Sequence, residues 1–258
     1  MRRWRDYFSV LGLCSLSLAH VAHAADGDPD PSFGSQGGTT FALSSSNNDY
    51  ATAVSEVAGG KLLVVGECGS VACITRLLPN GSLDSTYGFL GVGYSHFDQF
   101  ATAPPHSFAT GLTVLPDGRA VVVGCTDLPI GALFMVRADG SGLDTSVGGG
   151  KGYFAGVSGS ITPSFCPSSV IRQGDGKFLT TQTGQIDGFG EVILVARIAA
   201  DLSGLDSSFG TNGVAELAFG LGAPGDNTDL QGGIALQNDG KVVVGGTAIN
   251  QNNVPVMV

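Results

Sequence analysis

Short runs of apolar and β-branched residues, separated by glycine-containing pairs, follow one another along most of the chain. The run "ATAVSEV" at 51–57, for example, is followed by Gly59-Gly60 and then by the apolar run "KLLVVG" at 61–66. Such pairs accept the positive φ that closes tight hairpins, and a return run that is apolar on both faces suits a strand buried between packed sheets. Because no helical apolar spacing of useful length follows residue 24, the pattern predicts an all-β chain.

Three landmarks recur in constant order with a period of about 60 residues. The first is an aspartate in strings such as "LDSTYG", at Asp30, Asp84, Asp144 and Asp206, with spacings of 54, 60 and 62 residues. The second landmark occurs as "GGKLLVVG" 59–66, "DGRAVVVG" 117–124, "DGKFLTTQ" 175–182 and "DGKVVVGG" 239–246. The third occurs as "ITRLLPNGS" 74–82, "LFMVRADGS" 133–141 and "ILVARIAAD" 193–201. A fixed period of this length is typical of repeat folds.

Each repeat divides into four short strands, which is the composition of a β-propeller blade. Small residues such as Ala51, Ala109, Gly111 and Ser168 stand in the first strand of each repeat, where innermost strands converge on an axis and leave little room. The predicted fold class is therefore all-β, a β-propeller over residues 25–258 with four blades or forming part of a larger propeller. A β-solenoid would also tolerate the small residues.

The repeated "LDxxxG" string is interpreted as scaffold rather than as a binding site present in several copies. Its leucine and aromatic residues would pack between blades, its aspartate would cap a local turn, and its glycine would take the positive φ of that turn. The residues assigned this structural role are Asp84, Gly88, Asp144, Gly148, Asp206 and Gly210.

The combination of "LPDGRAVVVG" or "NDGKVVVGG" with "LDSSFGTNGV" resembles the delta-60 repeat, a bacterial β-propeller repeat family of undefined function. The resemblance covers about residues 28–258. It implies the fold and brings no catalytic or ligand-binding residues. The third repeat departs from the pattern with "TTQT" at 180–183 and "AADLSG" at 199–204, and the first with "AGG" at 58–60, which weakens individual turns.

Two ways of completing the propeller remain open. If blades occupy 50–98, 107–157 and 167–220, the fourth blade has three strands and lacks its own fourth. Residues 32–44, "SFGSQGGTTFALS", could supply that strand and latch a closed four-bladed ring. Alternatively, the chain is part of a longer propeller.

The first 24 residues have the features of a secretory signal peptide. Arg2, Arg3 and Arg5 precede an apolar stretch, and Ala22-His23-Ala24 forms a small-residue cleavage site. The apolar stretch is too short for a transmembrane helix, so no membrane span is expected. We expect a secreted or periplasmic protein cleaved near Ala24.

The charge of the exported chain is acidic. Removal of residues 1–24 takes away three arginines and one aspartate, which changes the net charge from −10 to −12. An acidic surface without a basic stripe makes nucleic acid an unfavourable partner, and it also disfavours anionic membranes. The acidity itself needs no other explanation than solubility.

Four cysteines remain after cleavage, and an even number in an oxidising compartment predicts disulfides. Cys68 and Cys73 flank the link between the second and third strands of the first blade, and we expect them to pair. Cys125 and Cys166 fall on one face of neighbouring blades and form the second expected pair.

Candidate chemistry is sparse. The two histidines after residue 24, His96 and His106, lack a nucleophile motif around them. Asp226 and Asp229, in "DNTD", are the calcium candidates among the acids, although they do not match an EF-hand loop. No catalytic residue and no other cofactor is predicted.

The sequence therefore predicts an exported β-propeller that acts as a binding or structural module, with an unknown protein or a glycan as ligand. The alternative is an extracellular polysaccharide hydrolase or lyase that works in the propeller channel. Two acids and a histidine brought close together would favour that alternative.

Overall fold

Four small antiparallel sheets make up the described part of the chain and are arranged as a four-bladed β-propeller, so the predicted fold class is confirmed. The computed structural model describes residues 27–44, 48–97, 107–126, 131–156, 162–163, 167–186, 190–219, 227–250, 252 and 254–258. No described helix is long and apolar enough to cross a membrane.

The strands follow the repeat. Blade 1 contains β1 (Asp49–Val57), β2 (Lys61–Cys68), β3 (Val71–Leu77) and β4 (Tyr94–His96). Blade 2 contains β5 (Ser107–Val114), β6 (Ala120–Thr126), β7 (Gly131–Val136) and β8 (Tyr153–Ala155). A short strand, β9 (Thr162–Pro163), precedes blade 3, which contains β10 (Ser169–Arg172), β11 (Phe178–Ile186), β12 (Gly190–Ile198) and β13 (Val214–Leu217). Blade 4 contains β14 (Asn227–Leu236), β15 (Val242–Ile249) and β16 (Pro255–Met257). Two 3₁₀ turns, Phe89–Gly91 and Gly148–Gly150, precede the fourth strands of blades 1 and 2.

The hairpins between the first two strands of a blade close as their sequences predict. In blade 2, Gly118 has a φ of 86° and its N–H donates to the Leu115 carbonyl. The Asp117 carboxylate accepts from the Arg119 N–H two residues further on, at 3.1 Å. Aspartate and glycine are therefore each required by the geometry of this turn.

The core lies between blades. Leu63 and Val65, on the face of blade 1 that looks toward blade 2, share one buried cluster with Val122 and Phe134 of blade 2. A second cluster fills the space between blades 2 and 3. Blade 2 is therefore buried on both faces, which explains why its second strand is apolar on both sides.

A hydroxyl in the innermost strand of each of the first three blades bonds to the next blade. Thr52 donates to the carbonyl of Ala109 at 2.7 Å, Thr110 donates to that of Pro167, and Ser168 donates to that of Gly232 at 3.0 Å. A Cβ at Gly111 would lie only 3.0 Å from the Ser168 carbonyl. Close approach of neighbouring inner strands is therefore the reason for their small residues.

The departures in the third repeat do not interrupt its strands. Thr180–Thr183 are fully buried in β11 and keep an antiparallel register with β12. Thr180 donates its hydroxyl to the Ser169 carbonyl at 2.8 Å, which satisfies one of these buried polar groups. Leu202 takes a φ of 55° in the turn where other blades have glycine.

Two features of the strand pairing were not predicted. The short strand β9 pairs with β11, and a short parallel contact between β12 and β14 joins the sheets of blades 3 and 4. The segment 32–44, which could supply the fourth strand of blade 4, contacts blade 1 through the Gly34 N–H, which donates to the Asn80 carbonyl at 2.8 Å. Among the described residues, β16 pairs with β15 alone.

Candidate functional site

The repeated aspartates are each surrounded by donors from their own blade. The Asp84 side chain is 3% exposed; its Oδ2 lies 2.8 Å from both Lys61 Nζ and Arg76 Nε. Its Oδ1 accepts from the N–H and the hydroxyl of Thr86, at 3.0 and 2.6 Å. Both carboxylate oxygens are therefore engaged within the protein.

The same arrangement recurs in the next two blades with one variation. Asp206 Oδ2 lies 2.8 Å from both Lys177 Nζ and Arg197 Nε. Asp144 bonds to Arg119 at 2.6 Å, but the position that holds arginine in the other two blades is occupied by Met135, which is fully buried. Blade 2 therefore has one cation at this node rather than two.

These contacts shift the acidity of the carboxylates. Burial raises the pKa of Asp84, but hydrogen bonds from Lys61 and Thr86 outweigh it and hold that pKa well below its usual range. For Asp144, the hydroxyl of Ser146, opposed by burial and assisted by Arg119, lowers the pKa to about 2. All three carboxylates are thus charged at neutral pH; Asp206 has a lowered pKa through Lys177 and Ser208.

The glycines of the same string form the joint to the following blade. The Gly88 N–H donates to the Asp139 carbonyl of blade 2 at 2.9 Å, and the Gly148 N–H donates to the Asp201 carbonyl of blade 3 at 2.7 Å. A Cβ at Gly88 would lie 2.1 Å from the Tyr94 carbonyl oxygen, so no larger residue fits. In blade 3, a Cβ at Gly210 would lie 2.1 Å from the Val214 carbonyl oxygen.

The predicted metal and histidine candidates do not assemble into a site in the part of the chain that the structure describes. Asp226 and His106 lie outside the described residues, and Asp229 falls within β14. His96 is in β4 beside Tyr94, with the two ring centroids 5.2 Å apart. Within the described ranges, no group of three His, Cys, Asp or Glu side chains could hold a metal ion.

One of the two predicted disulfides is present as expected. Cys68 and Cys73 are bonded across the β2–β3 hairpin, with their Cα atoms 5.8 Å apart. Cys125 is also disulfide-bonded. Its expected partner, Cys166, lies outside the described residues, so that pairing stays a prediction.

An open groove of about 500 Å³ lies at the joint between blades 1 and 2. We call it the 1/2 groove and define it by Phe89, Leu90, Val92, Tyr94, His96 and Ser141. Three of its apolar side chains are largely in solvent: Phe89 is 63% exposed, Leu90 84% and Val92 48%. Adjacent exposed apolar side chains of this kind are typical of binding surfaces.

The turn that presents these side chains is strained. Leu90 has a φ of 59°, a left-handed conformation that costs a branched residue about 1 kcal/mol. Ser95 supports the turn from beneath, because its buried hydroxyl accepts from the Phe89 N–H at 2.9 Å and donates to the Gly140 carbonyl at 2.5 Å. A strained apolar residue in solvent has no stabilising role that would account for it.

The matching groove between blades 2 and 3 provides an internal comparison. It measures about 450 Å³ and is lined by Gly148, Gly149, Lys151, Tyr153 and Leu202, among others. The tyrosine is shared, since Tyr153 stands where Tyr94 stands. Gly149 and Gly150, with φ of 64° and 92°, replace the apolar turn. The apolar character therefore belongs to the 1/2 groove and not to the repeat.

Sequence reasoning did not identify the 1/2 groove, although the signal was present. Aligned on the repeat, "GFLGVGY" at 88–94 corresponds to "GGGKGY" at 148–153, with one extra residue and three apolar substitutions. A comparison of repeats for positions that differ, rather than for those that agree, would have found it.

A second, smaller cavity of about 230 Å³ lies between the N-terminal segment and blade 1. Its lining includes Phe41, Leu43, Tyr50 and Val64, with Asp49 at one side. The Asp49 carboxylate accepts from the N–H groups of Leu43 and Ser44, at 2.6 and 3.1 Å. This carboxylate is occupied in holding the N-terminal segment against the blade.

Comparison with known sequences supports a β-propeller family. Residues 60–87 and 237–258 match the family described as "Domain of unknown function (DUF5122) beta-propeller". The two matched segments cover the β2–β3 region of blade 1 and the corresponding region of blade 4. No curated protein matches the sequence.

Solved structures with similar architecture are distant. A protein of unknown function from Bacteroides caccae superposes with a TM-score of 0.45 at 14% identity, covering 82% of this chain and 61% of that one. An α-L-arabinofuranosidase from Clostridium thermocellum gives 0.41 at 12% identity, covering 81% and 71%. An endo-1,4-β-xylanase from Bacteroides thetaiotaomicron gives 0.42 at 11%, covering 82% and 75%. At TM-scores this low, the substrates of these enzymes say nothing about the ligand of this chain.

Proposed function

We propose that this β-propeller is an exported binding module and that it binds a glycan through the 1/2 groove. The observation that carries the proposal is the turn at 89–92, where exposed apolar side chains are held on strained backbone in one blade and replaced by glycines in the next. Retention of a locally unfavourable feature is expected where it serves binding.

The chemistry of the groove suits a sugar ring. The rings of Phe89, Tyr94 and His96 offer flat surfaces against which the C–H face of a pyranose can pack, and Ser141 and the Tyr94 hydroxyl can bond to sugar hydroxyls. Pockets for small ligands commonly measure about 300–1,000 Å³, and the groove of about 500 Å³ falls in that range. Because the groove is open, we expect a section of a longer polysaccharide rather than an enclosed monosaccharide.

A binding role is favoured over hydrolysis on the composition of the groove. Glycoside hydrolysis needs two carboxylates that face each other across the scissile bond. The described residues that line the 1/2 groove include no aspartate or glutamate. The proposal therefore extends to recognition only.

The test is a binding assay with defined polysaccharides. Purified chain is incubated with insoluble cellulose, chitin, xylan and peptidoglycan, and soluble oligosaccharides of any polysaccharide that retains it are titrated by calorimetry. In the key variant, residues 89–92 are replaced by Gly-Gly-Lys, the sequence of 149–151. We expect at least a tenfold loss of affinity in this variant, with an unchanged circular dichroism spectrum.

Two control variants separate binding from stability. Lys151→Ser alters the matching groove between blades 2 and 3 and should leave affinity unchanged. Asp84→Ala removes the buried carboxylate, and because Lys61 and Arg76 then lose their partner, we expect a destabilisation of about 3 kcal/mol without loss of binding. The proposal would be contradicted if the Gly-Gly-Lys variant bound every polysaccharide that wild type binds with unchanged affinity. It would also be contradicted if neither wild type nor any variant bound a polysaccharide.

A further inference from the structure

No described residue packs over the face of blade 4 that points away from blade 3. Val243 corresponds in the repeat to Leu63, Val121 and Leu179, which are at most 1% exposed, yet Val243 is 48% exposed. Met257, opposite Thr247 on the same face, is 92% exposed. In blades 1 and 2 the equivalent face is buried against the next blade, and Leu179 on that face of blade 3 is fully buried.

The face of blade 1 that points away from blade 2 is also partly exposed in the part of the chain that the structure describes. Val54 pairs with Val64 across β1 and β2 and is 61% exposed. Its counterpart in blade 3, Val170, is 5% exposed because blade 2 packs on it. The N-terminal segment reaches Val64 and Gly66 but leaves Val54 in solvent. These two faces are the same pair of surfaces that meet at each internal joint.

A lysine of blade 4 stands at the repeat position whose lysine or arginine bonds to the repeat aspartate in the other blades. Lys241 corresponds to Lys61, Arg119 and Lys177, which bond to Asp84, Asp144 and Asp206. Lys241 is 75% exposed, and its ion pair within the described residues is with Asp239 of its own turn, at 2.6 Å.

The N-terminal segment carries the matching half of that node, already docked on blade 1. Asp30 accepts from the N–H and hydroxyl of Ser32 through Oδ1, as Asp84 does from Thr86. Gly34 donates its N–H to Asn80 of blade 1, as Gly88 donates to Asp139 of blade 2. At each internal joint, the aspartate of this string bonds to the lysine or arginine of its own blade, which is the blade that precedes the joint. The segment therefore lies on blade 1 in the place where the fourth strand of a preceding blade lies at the internal joints.

We propose that blade 4 of one copy of this chain packs on blade 1 of a second copy, with Lys241 of the first bonded to Asp30 of the second. The contact repeats the internal joint: apolar face against apolar face, with a lysine–aspartate pair beside them. Such an interface is heterologous, because it joins the blade 4 face of one copy to the blade 1 face of the next. Repeated contacts of this kind give either a closed ring of copies or an open filament. The inference does not depend on the proposed glycan function.

The first experiment measures mass against concentration by light scattering during size exclusion. We expect the wild-type chain to form dimers and larger species as its concentration rises. Val243→Glu, which places a charge on the apolar face, should weaken association at least tenfold. Lys241→Asp and Asp30→Lys should each weaken it, and the two together should restore it because the pair is reversed. Lys151→Asp, which changes an exposed lysine away from the joint, should have no effect.

A second experiment distinguishes contact between copies from closure within one chain. Asp30→Cys and Lys241→Cys are combined in one chain and oxidised, and the products are separated on a non-reducing gel. A covalent dimer supports the proposal. A covalent monomer, meaning that the N-terminal segment latches its own blade 4, would overturn it, as would a wild-type chain that stays monomeric at all concentrations. Circular dichroism of each variant checks that it is folded.

Discussion

The guanidinium of Arg76 lies over the ring of Tyr87, 4.5 Å from its centroid. Tyr87 is buried and follows Asp84 by three positions, so one arginine contacts both the carboxylate and the aromatic ring of the repeated string. Blade 3 has the same relationship between Arg197 and Phe209, at 4.8 Å. In blade 2 both members differ, with Met135 and Val147 in their places, and both contact the core between blades 2 and 3. The arginine and the aromatic residue are therefore present together or absent together.

A double-mutant cycle should measure this coupling. The cycle uses the blade 2 residues: the single variants Arg76→Met and Tyr87→Val, and the two combined. We expect a coupling free energy of about 1 kcal/mol from urea unfolding, because the cation–π contact is partly buried. Lys151 and Tyr153, where Nζ lies 6.0 Å from the ring centroid on the surface, provide the control pair. Coupling for Arg76 and Tyr87 no larger than for that control would show that the contact does not stabilise the blade.

The pH dependence of stability should reveal the Asp144 node. Its pKa falls from an ordinary value of 3.8 to about 2 on folding, so the charged form stabilises the folded state. That stabilisation is complete above the unfolded pKa and is lost as the pH falls through the folded one. The difference in unfolding free energy between wild type and Asp144→Asn should therefore be constant from neutral pH to about 5, shrink below 4 and approach its limit near 2. A difference that does not change between pH 5 and pH 2 would contradict this account.

The fold was largely predictable because propeller blades are encoded locally. The second strands carry their apolar residues on both faces, and each hairpin has the Asp-Gly or Gly-Gly pair that its positive φ requires, as at Gly118 and Gly60. In the LDxxxG string of blade 1, the Gly88 N–H donates to the Asp139 carbonyl of blade 2. Strand order within a blade follows directly from such hairpins.

Contacts between distant parts of the chain were not predictable in the same way. The N-terminal segment has the sequence of a fourth strand, but which blade it contacts depends on long-range packing, and it docks on Asn80 of blade 1. Likewise, nothing in the string "FLGV" by itself says that Phe89 and Leu90 stay in solvent. Local patterns specify strands and turns, whereas exposure depends on what the rest of the fold covers.

The cysteines give a direct chemical prediction. We expect no reactive thiol in the unreduced chain without residues 1–24, since Cys68–Cys73 is formed, Cys125 is disulfide-bonded and Cys166 is its predicted partner. Thiol titration in denaturant and mass mapping of linked peptides check this. Cys68→Ala with Cys73→Ala should lower the unfolding free energy by about 2 kcal/mol, the value expected for a short closed loop. Two reactive thiols per chain, or a peptide linking Cys125 to another residue, would disprove the second pair.

Leu90→Gly should separate stability from binding in a single substitution. Leu90 has a φ of 59° and is 84% exposed, so glycine removes the left-handed strain while little buried apolar surface is lost. We therefore expect the free energy of unfolding to rise by about 0.5–1 kcal/mol. In the polysaccharide assay, the same variant should bind more weakly, because the largest exposed part of the 1/2 groove is gone. Gly150→Leu in blade 2 is the reverse change, since Gly150 has a φ of 92°, and it should destabilise the chain. If Leu90→Gly raised stability and left binding intact, the leucine would have no part in recognition, and the turn at 89–92 would lose its central support as a binding site.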